Sequence, residues 1–438
     1  MKINYWQLNR LTPAQKAAII QRGEGEITAV MPAVEPILAA VHERGDAALI
    51  EFAARFEQAD ISAGIKVTDA EFDAAYASLP ADLLDALRTC AGNVITHHRQ
   101  QMARVETYWL EEIAPGVLGG EKVTPIPSVG IYVPRGKGAF PSMMYMLCAP
   151  ARIAGVPRIA VCTPPMPDGT VDAASLVAAD LCGVRDVYKV GGAQAIAALA
   201  YGTETVPRVA KVEGPGSPYV SAAKRMLSSV IDPGMPAGAS DSIVLADATA
   251  DAWNCALDLM NEAEHGPDSA SVLVTDSLSL SERVAKVLPD VLQSLPPQRR
   301  EFCETVFSTT GGVMLCDSMD DAIAFCNEYA PEHLLVKTSD PEEVVAKLTN
   351  AGEILIGEST PMVLGNFGIG VNAVLPTGGR AATHSCTSVW SFLKRTSISR
   401  VTAAGYHSLK EPVTRLARYE GFDGHAMVLT ERNEKALD

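Results

Sequence analysis

A carboxylate and an imidazole three residues apart form the first candidate site in the sequence. Glu262 and His265 follow a run with helical periodicity over residues 252–260, and Gly266 and Pro267 come directly after them. Side chains at positions i and i+3 lie on the same face of a helix, so these two groups could bind one divalent cation at the helix end. The alternative is an exposed pair that caps and solvates the last helical turn, because this short pattern is common.

A second acid–imidazole pair, Glu332 followed by His333, falls where a helical pattern gives way to a strand pattern. We expect such a junction to line the crevice at the carboxyl edge of an α/β sheet, or the loops that face it. The unperturbed pKa of histidine suits proton transfer near neutral pH, and an adjacent carboxylate could orient a water molecule. The pair is therefore a candidate for acid–base catalysis, and a capping Glu beside a packed His is the alternative.

Three glycine-rich stretches could bring the backbone close to a ligand. Residues 136–138 (Gly-Lys-Gly) and 191–192 (Gly-Gly) lie between a predicted strand and a predicted helix, where backbone amides and a helix N-terminus can bind an anion. Neither matches a complete dinucleotide or P-loop fingerprint, so ordinary tight turns are an equally good interpretation. Residues 365–379 hold five further glycines together with Asn366 and Asn372, and we predict a loop there.

Composition narrows the class of protein. The 438 residues suggest about two to three domains, and 47% hydrophobic with 20% charged residues is typical of globular proteins. The net charge of −16 argues against nucleic-acid binding, which needs a basic face. We expect no signal peptide and no membrane span, because the required apolar runs are missing. Nine cysteines without a Cys-x-x-Cys motif indicate reduced, mostly buried thiols and a cytoplasmic protein.

Short strands alternate with helices through most of the chain, and these elements must position the candidate residues. The alternation runs over residues 131–240 and again over 241–378, which predicts βαβ units on parallel sheets and an α/β fold. Residues 1–24 are predicted to be a polar, partly helical arm. Residues 25–120 show helical patterns, and the tail from about residue 380 holds further helical stretches.

Taken together, these segments make the chain similar to the histidinol dehydrogenase family over nearly its whole length. The resemblance rests on ordered segments at residues 130–141, 150–156, 191–197, 214–216, 237–240, 263–269, 329–334 and 372–377. It implies a zinc enzyme that oxidises a primary alcohol to a carboxylic acid with two NAD. It also implies two incomplete Rossmann-like domains in an intertwined homodimer, whose C-terminal tail completes the partner's site.

The resemblance also implies domain boundaries and residue roles for this chain. The implied domains are an arm at 1–24, a first Rossmann-like domain at 25–130 and 241–378, a second at 131–240, and a tail domain at 379–438. The implied roles are zinc binding by Glu262, His265, Asn366 and His425, base catalysis by His333, activation of water by Glu332, contact with NAD by Tyr132, Gln194 and Ser217, and contact with the substrate by Ser240 and Glu420.

Four positions depart from the family's pattern. Glu262 stands where the family usually has a Gln ligand and Asn366 where it has an Asp ligand, so the ligand charge is moved but retained. Ala373 replaces a histidine that contacts histidinol, and Ser217 replaces an Asn that contacts NAD. These departures resemble a paralogous branch, the sulfopropanediol dehydrogenases, which oxidise dihydroxypropanesulfonate to sulfolactate. Oxidation of L-histidinol to L-histidine is the alternative.

A sulfonate substrate would need cations or hydrogen-bond donors. The candidates in the tail are Arg380, Thr383, His384, Lys394 and Arg395. Basic residues of a tail are more often solvated, which is the alternative. A catalytically inactive metal-binding scaffold would be a third possibility, and the intact Glu332–His333 pair argues against it.

Overall fold

Two parallel sheets form the framework of the fold, as the alternation of strands and helices predicts. The computed structural model describes residues 1–22, 25–135 and 138–436. Contacts divide the chain into two units. The first unit joins Met1–Gln101 to Pro127–Phe392, and the second joins Met102–Ile126 to the segment that begins at Leu393.

The described strands are β1 Asn4–Gln7, β2 Tyr108–Ala114, β3 Val117–Pro125, β4 Val129–Tyr132, β5 Ile159–Thr163, β6 Val187–Lys189, β7 Lys211–Glu213, β8 Asp241–Ala246, β9 Ala270–Thr275, β10 Gly312–Leu315, β11 His333–Lys337, β12 Glu353–Ile356 and β13 Leu393–Val401.

The described α-helices are α1 Pro13–Ile20, α2 Gly25–Arg44, α3 Asp46–Phe52, α4 Asp69–Ser78, α5 Ala81–Met102, α6 Pro141–Ile153, α7 Ala173–Leu181, α8 Gly192–Tyr201, α9 Pro218–Met226, α10 Ala252–Ala263, α11 Leu278–Leu292, α12 Pro297–Ser308, α13 Met319–Tyr329, α14 Pro341–Lys347, α15 Met362–Phe367, α16 Ala403–Tyr419 and α17 Asp423–Thr430. A π-helical turn at Ala53–Glu57 follows α3.

The larger sheet has six parallel strands in the order β1-β10-β9-β8-β11-β12. Every residue of β8, β9 and β11 is buried. Alternate side chains of a strand point to opposite faces, so Val244 joins one hydrophobic core and its neighbour Ile243 joins the core on the other face. Strands buried on both faces are expected for a parallel sheet covered by helices on each side.

The smaller sheet has four parallel strands in the order β6-β5-β4-β7. Helix α8, rich in alanine and buried over residues 193–200, packs beside α2 and α9. Small side chains allow close packing of this helix against the sheet. The two parallel sheets confirm the predicted α/β class, and both belong to the first unit rather than to separate units.

The second unit departs most from the sequence-based expectation. The predicted helical stretch 25–120 is wrong at its end, because the segment after residue 102 holds strands β2 and β3, which form an antiparallel sheet with β13 in the order β13-β3-β2. The side chains of β2 and β13 are largely exposed and those of β3 are mostly half-buried, so the sequence shows no clear apolar alternation there. Helices α16 and α17 pack together in the same unit.

The N-terminal segment also differs from the predicted arm. Strand β1 pairs in parallel with β10 and forms the edge of the six-stranded sheet. Helix α1 then begins with a capping box in which Thr12 and Gln15 satisfy each other's backbone amides. Among the described residues, no helix combines the length and apolar character needed to cross a lipid bilayer.

Candidate active site

The candidate metal and catalytic residues meet at the amino edge of the six-stranded sheet. Glu332 and His333 stand at the start of β11, and Ser240 comes just before β8. Glu262 and His265 lie at the end of α10, the helix that leads into β9, so they reach the same edge. The expectation of a carboxyl-edge crevice is wrong for this pair, because His333 is the first residue of its strand rather than a residue that follows one.

The turn that precedes the catalytic pair is strained. Helix α13 ends at Ala330, whose φ of 48° lies in the left-handed region that favours glycine. A residue with a Cβ costs about 1–2 kcal/mol in that conformation. Retained strain next to reactive groups is a common feature of functional sites, because the surrounding structure must fix the backbone there.

Glu262 is the centre of the candidate metal site. Its side chain is fully buried, and Oε1 accepts hydrogen bonds from the amides of Asn366 and Asn261, each at 2.8 Å. Oε2 lies 3.2 Å from Nδ1 of His265 and 3.9 Å from Nε2 of His333. Burial by itself would raise the pKa of Glu262, but the two imidazoles and the Asn366 amide bring it below its usual value. The carboxylate is therefore held in its charged form.

Two oxygens at this centre are available to a cation. Glu262 Oε2 and Asn366 Oδ1 are buried and have no hydrogen-bond partner within the described residues. Buried polar atoms are rarely left without a partner, and carboxylate, amide oxygen and imidazole nitrogen are suitable ligands for a divalent metal. The donor set of Glu262, Asn366 and His265 therefore fits zinc. Within the described part of the chain, no group of three or more His, Cys, Asp and Glu side chains forms a metal cluster by itself.

Asn366 differs from the sequence-based expectation in its local structure. It was predicted to lie in a glycine-rich loop, but it belongs to the short helix α15, and α15 packs against α10. The second Asn of the stretch, Asn372, anchors the backbone: its amide donates to the carbonyl of Met146 at 2.6 Å and lies 3.1 Å from Nε2 of His98.

The catalytic candidates Glu332 and His333 are both buried. Nε2 of His333 lies 3.7 Å from Oε1 of Glu332. Burial raises the pKa of Glu332 to about 8, and the nearby Asp241 and Glu262 act in the same direction. Burial would lower the pKa of His333, but the carboxylates of Glu262, Glu332 and Glu353 outweigh it and raise that pKa well above its usual value. His333 and the carboxyl groups around it therefore form one buried acid–base cluster.

Sequence reasoning missed two acidic residues that hold this pair. Oε1 of Glu353 lies 2.6 Å from Nδ1 of His333, and Asp241 exchanges hydrogen bonds with the backbone and side chain of Glu332. Each is the first residue of a buried or half-buried strand, β12 and β8. A carboxylate at the first position of an otherwise apolar strand is the sequence signal that could have identified them.

The candidate substrate residue Ser240 connects the metal site to a cavity. Its hydroxyl lies 3.1 Å from Nδ1 of His265. The cavity has a volume of about 480 Å³. Its ionisable lining residues are Arg22, Lys224, Arg225, Asp241, Asp268, Arg380 and His384. Burial lowers the pKa of Lys224 to about 8, and its ammonium donates to the carbonyl of Gly214 at 3.0 Å.

The three candidate NAD residues lie at the carboxyl edge of the four-stranded sheet. Tyr132 ends β4, Gln194 is in the first turn of α8 after β6, and Ser217 precedes α9 after β7. The backbone N–H of Gly192 donates to the Tyr132 hydroxyl at 3.1 Å. The side-chain oxygen of Ser217 caps no amide of α9, and the residue is exposed. Helix N-termini at this edge are the usual site for a dinucleotide.

A third missed acid, Glu57, lies in the π-helical turn beside this edge. Its Oε1 accepts from the Gln194 amide at 3.1 Å, and burial raises its pKa to about 7. A Cβ on Gly191 would lie 2.5 Å from the same oxygen, so only glycine fits there. Of the other glycine-rich turn, Gly136 and Lys137 lie outside the described residues.

Most of the remaining predicted residues belong to the second unit, and Thr383 belongs to the first. Glu420 and His425 are exposed, on either side of the start of α17, and Lys394 and Arg395 lie on β13. They are therefore not part of the unit that holds the other candidates. Thr383 lies in the first unit with Arg380 and His384, and its hydroxyl is 2.9 Å from Nδ1 of His384.

Comparison with known proteins gives one consistent family. The family described as Histidinol dehydrogenase matches residues 20–433. A histidinol dehydrogenase homolog of Cereibacter sphaeroides is 48% identical over 97% of both chains. The histidinol dehydrogenase of Synechocystis sp. is also 48% identical, over 97% of this chain and 98% of that protein. The crystal structure of histidinol dehydrogenase from Elizabethkingia anophelis superposes with a TM-score of 0.92 at 31% identity, covering 98% of this chain and 97% of that one.

Proposed function

This chain belongs to the histidinol dehydrogenase family, and from that premise we propose that it oxidises a primary alcohol, through a bound aldehyde, to a carboxylic acid with zinc and NAD. The observation that carries the proposal is the pair of unpartnered buried oxygens on Glu262 and Asn366 next to the buried pair Glu332 and His333. A metal-ligating group beside an acid–base pair is what a polarised alcohol oxidation requires.

Glu262, His265 and Asn366 would hold zinc, together with His425 of a second subunit. Zinc bound there would polarise the substrate hydroxyl as a Lewis acid. NAD, held beside Tyr132, Gln194 and Ser217, would accept the hydride. The protein's own residues then account for proton transfer, water activation and substrate orientation.

His333 acts as the base in both oxidations. Nε2 faces Glu332 and Glu262, whereas Nδ1 is engaged by Glu353. Nε2 is therefore the atom that takes the proton of the alcohol hydroxyl while hydride leaves the carbon. The aldehyde must stay bound for the second oxidation to follow the first.

Glu332 acts on water in the second step. Its pKa of about 8 makes it a stronger base than an ordinary carboxylate, and burial is the main cause. Glu332 removes a proton from water as the oxygen adds to the aldehyde carbon. With NAD bound, the resulting hydrate would give the remaining hydrogen of that carbon as hydride to a second NAD and a hydroxyl proton to His333, which would yield the carboxylic acid. In total, one alcohol, one water and two NAD⁺ would yield one acid, two NADH and two protons.

For the substrate, we favour dihydroxypropanesulfonate. Ser240 would hold the reacting end. The cavity beyond it is lined by the basic side chains of Lys224, Arg225 and Arg380 and by one further carboxylate, Asp268. Arg22 in the same lining is neutralised by Asp241. An excess of cations suits a sulfonate better than a cationic amino-imidazole. Ala373 also lacks the imidazole that a histidinol enzyme offers its substrate.

L-Histidinol is the second candidate. The specific observation in its favour is that a relative named histidinol dehydrogenase, from Synechocystis sp., is as similar to this chain as the relative named a homolog. Overall identity therefore does not separate the two substrates.

The proposed assembly is a homodimer whose tails are exchanged. Glu420 and His425 belong to the second unit and are exposed in the single chain, so they are available to a partner. We also propose a cytoplasmic location, supported by nine cysteines that are all free thiols.

The experiment that tests the substrate is a comparison of kcat/KM for dihydroxypropanesulfonate and L-histidinol, followed by NADH formation. We expect the sulfonate to be preferred. Arg380→Met should raise its KM by about tenfold or more, the loss typical of one charge-assisted hydrogen bond, and leave the KM of histidinol unchanged. Arg283→Met, on the exposed face of α11, is the matched control. Preference for histidinol in the wild type would reverse the assignment.

A further inference from the structure

The two ring nitrogens of His333 have separate partners. Nε2 faces Glu332 and Glu262 at 3.7 and 3.9 Å, distances too long for hydrogen bonds. Nδ1 lies 2.6 Å from Oε1 of Glu353, a short and direct hydrogen bond. The ring is therefore fixed on one side and free to react on the other.

The sheet itself places Glu353 beside His333. Strands β11 and β12 are parallel neighbours, and His333 is in register with Glu353. The backbone N–H of Glu353 donates to the carbonyl of Glu332 at 3.0 Å, which locks this register at the first residues of both strands. In-register neighbours project to the same face of a sheet, so the contact follows from strand pairing rather than from a flexible loop.

Three observations indicate that this contact is more than a surface ion pair. The side chains of His333 and Glu353 are only 3% and 7% exposed. Glu353 Oε2 is buried and has no hydrogen-bond partner within the described residues, so His333 is the donor that holds the carboxylate. A Cβ on Gly365 would lie 2.9 Å from Glu353 Oε1, so α15 closes over the carboxylate from the other side.

We propose that Glu353 is a positioning residue for the base: it accepts the Nδ1–H of His333, fixes the ring orientation and tautomer, and leaves the Nε2 lone pair directed at the substrate. The inference rests on the proposed function, in which His333 is the base. A carboxylate behind the imidazole also balances the positive charge that forms when Nε2 takes a proton.

The direct test compares Glu353→Gln, Glu353→Asp and Glu358→Gln. Gln preserves the shape of Glu353 but can present an N–H to Nδ1 and lacks the charge. Glu358 is a matched control because it is also an acidic side chain paired with a basic one, Lys337 at 2.9 Å, but lies outside the site. We expect Glu353→Gln to lower kcat about 10²- to 10⁴-fold, as for loss of a carboxylate behind a catalytic imidazole, with KM for NAD changed less than about threefold.

Two further readouts separate positioning from a structural role. With alcohol deuterated at the reacting carbon, Glu353→Gln should show a larger isotope effect on kcat, because the chemical step becomes slower. Glu353→Asp should retain more activity than Glu353→Gln, since it keeps the charge. A Glu353→Gln enzyme with the kcat and isotope effect of the wild type and of Glu358→Gln would overturn the proposal.

A spectroscopic readout does not depend on turnover. In protein labelled with ¹⁵N-histidine, the Nδ1 proton of His333 should resonate far downfield and disappear in both His333→Asn and Glu353→Gln. If the wild type oxidises no alcohol, the proposed function fails, and this resonance still decides the inference about Glu353. Its absence from the wild type, or its survival in Glu353→Gln, would contradict the positioning role.

Discussion

Asp241 and Glu332 hold each other through two reciprocal hydrogen bonds. The backbone N–H of Glu332 donates to Oδ1 of Asp241 at 2.8 Å, and the backbone N–H of Asp241 donates to Oε2 of Glu332 at 3.0 Å. Asp241 Oδ1 also accepts from Arg22 at 2.8 Å, and Oδ2 accepts from the N–H of Gly378 at 2.8 Å. One buried carboxylate therefore ties the catalytic strand to the N-terminal segment and to the loop that follows residue 377.

Removal of the Asp241 carboxylate should be strongly destabilising. Arg22 and Asp241 are only 7% and 2% exposed, so Asp241→Asn leaves a buried guanidinium without its partner. We expect a loss of about 3–5 kcal/mol in the free energy of unfolding, measured by urea denaturation. Lys347→Met, which breaks the exposed pairs with Asp320 and Glu343, is the control and should cost less than about 1 kcal/mol. Equal losses in the two variants would refute this account of Asp241.

Zinc affinity should require one carboxylate ligand, which either position 262 or position 366 can supply. Glu262→Gln leaves Gln, His and Asn as the ligands of this unit, and we expect zinc affinity to fall about tenfold to a hundredfold or more, as measured by chelator competition. Adding Asn366→Asp to that variant places the negative charge on the other oxygen ligand, at position 366, and should recover the zinc affinity. Wild-type affinity in Glu262→Gln alone would show that Glu262 is not a ligand.

The exchanged tails can be tested with mixed dimers. We expect His333→Asn and His425→Ala to be inactive separately. In a heterodimer of the two, purified through different affinity tags, one site combines an intact His333 with an intact His425 from the other subunit, so about half of the wild-type activity per dimer should return. No recovery would mean that each tail serves its own subunit or none.

Stability beside the candidate NAD site should depend on pH through Glu57. Its folded pKa of about 7 lies above the usual 4.5, so its contribution to stability is fully present below pH 4.5 and is lost as pH rises through 7. Glu57→Gln stays neutral, and its Tm relative to wild type should therefore rise between pH 5 and pH 8, on the order of 1–3 °C.

Glu71→Gln is a control for which the pH dependence of the Tm difference should have the opposite sign. Lys189 and the Thr68 amide and hydroxyl outweigh burial and lower the pKa of Glu71, so the charged form is the stabilised one. Its Tm relative to wild type should fall as pH rises from 3 to 6. A Glu57→Gln variant whose Tm difference is the same at pH 5 and pH 8 would contradict the raised pKa.

Elements with strong local signals could be predicted from the sequence. Helices α4 and α5 lie in the stretch 25–120 where helical patterns are predicted: α5 spans Ala81–Met102, and α4 begins at Asp69 after a capping box formed by Thr68 and Glu71. Such signals lie within a few residues of the element they specify. Strands β2 and β13 carry no such signal because their side chains are mostly exposed.

Contacts between distant residues could not be predicted in the same way. Asp241 meets Glu332 across 91 positions, and Asn366 meets Glu262 across 104. The strand order brings the first pair together and the packing of α15 on α10 brings the second, and the spacing of motifs specifies neither. For the same reason, the sequence did not predict that the site lies at the amino edge of the six-stranded sheet, or that Glu353 is the hydrogen-bond partner of His333.

The most direct test of the account is the yield of NADH from a limiting amount of alcohol. Wild-type enzyme should form two NADH per alcohol, and an aldehyde trap should capture nothing, because the aldehyde stays bound. Glu332→Gln should form one NADH and release aldehyde to the trap, and His333→Asn should form none. One NADH per alcohol in the wild type, with free aldehyde as the product, would contradict oxidation to the acid by Glu332 and His333.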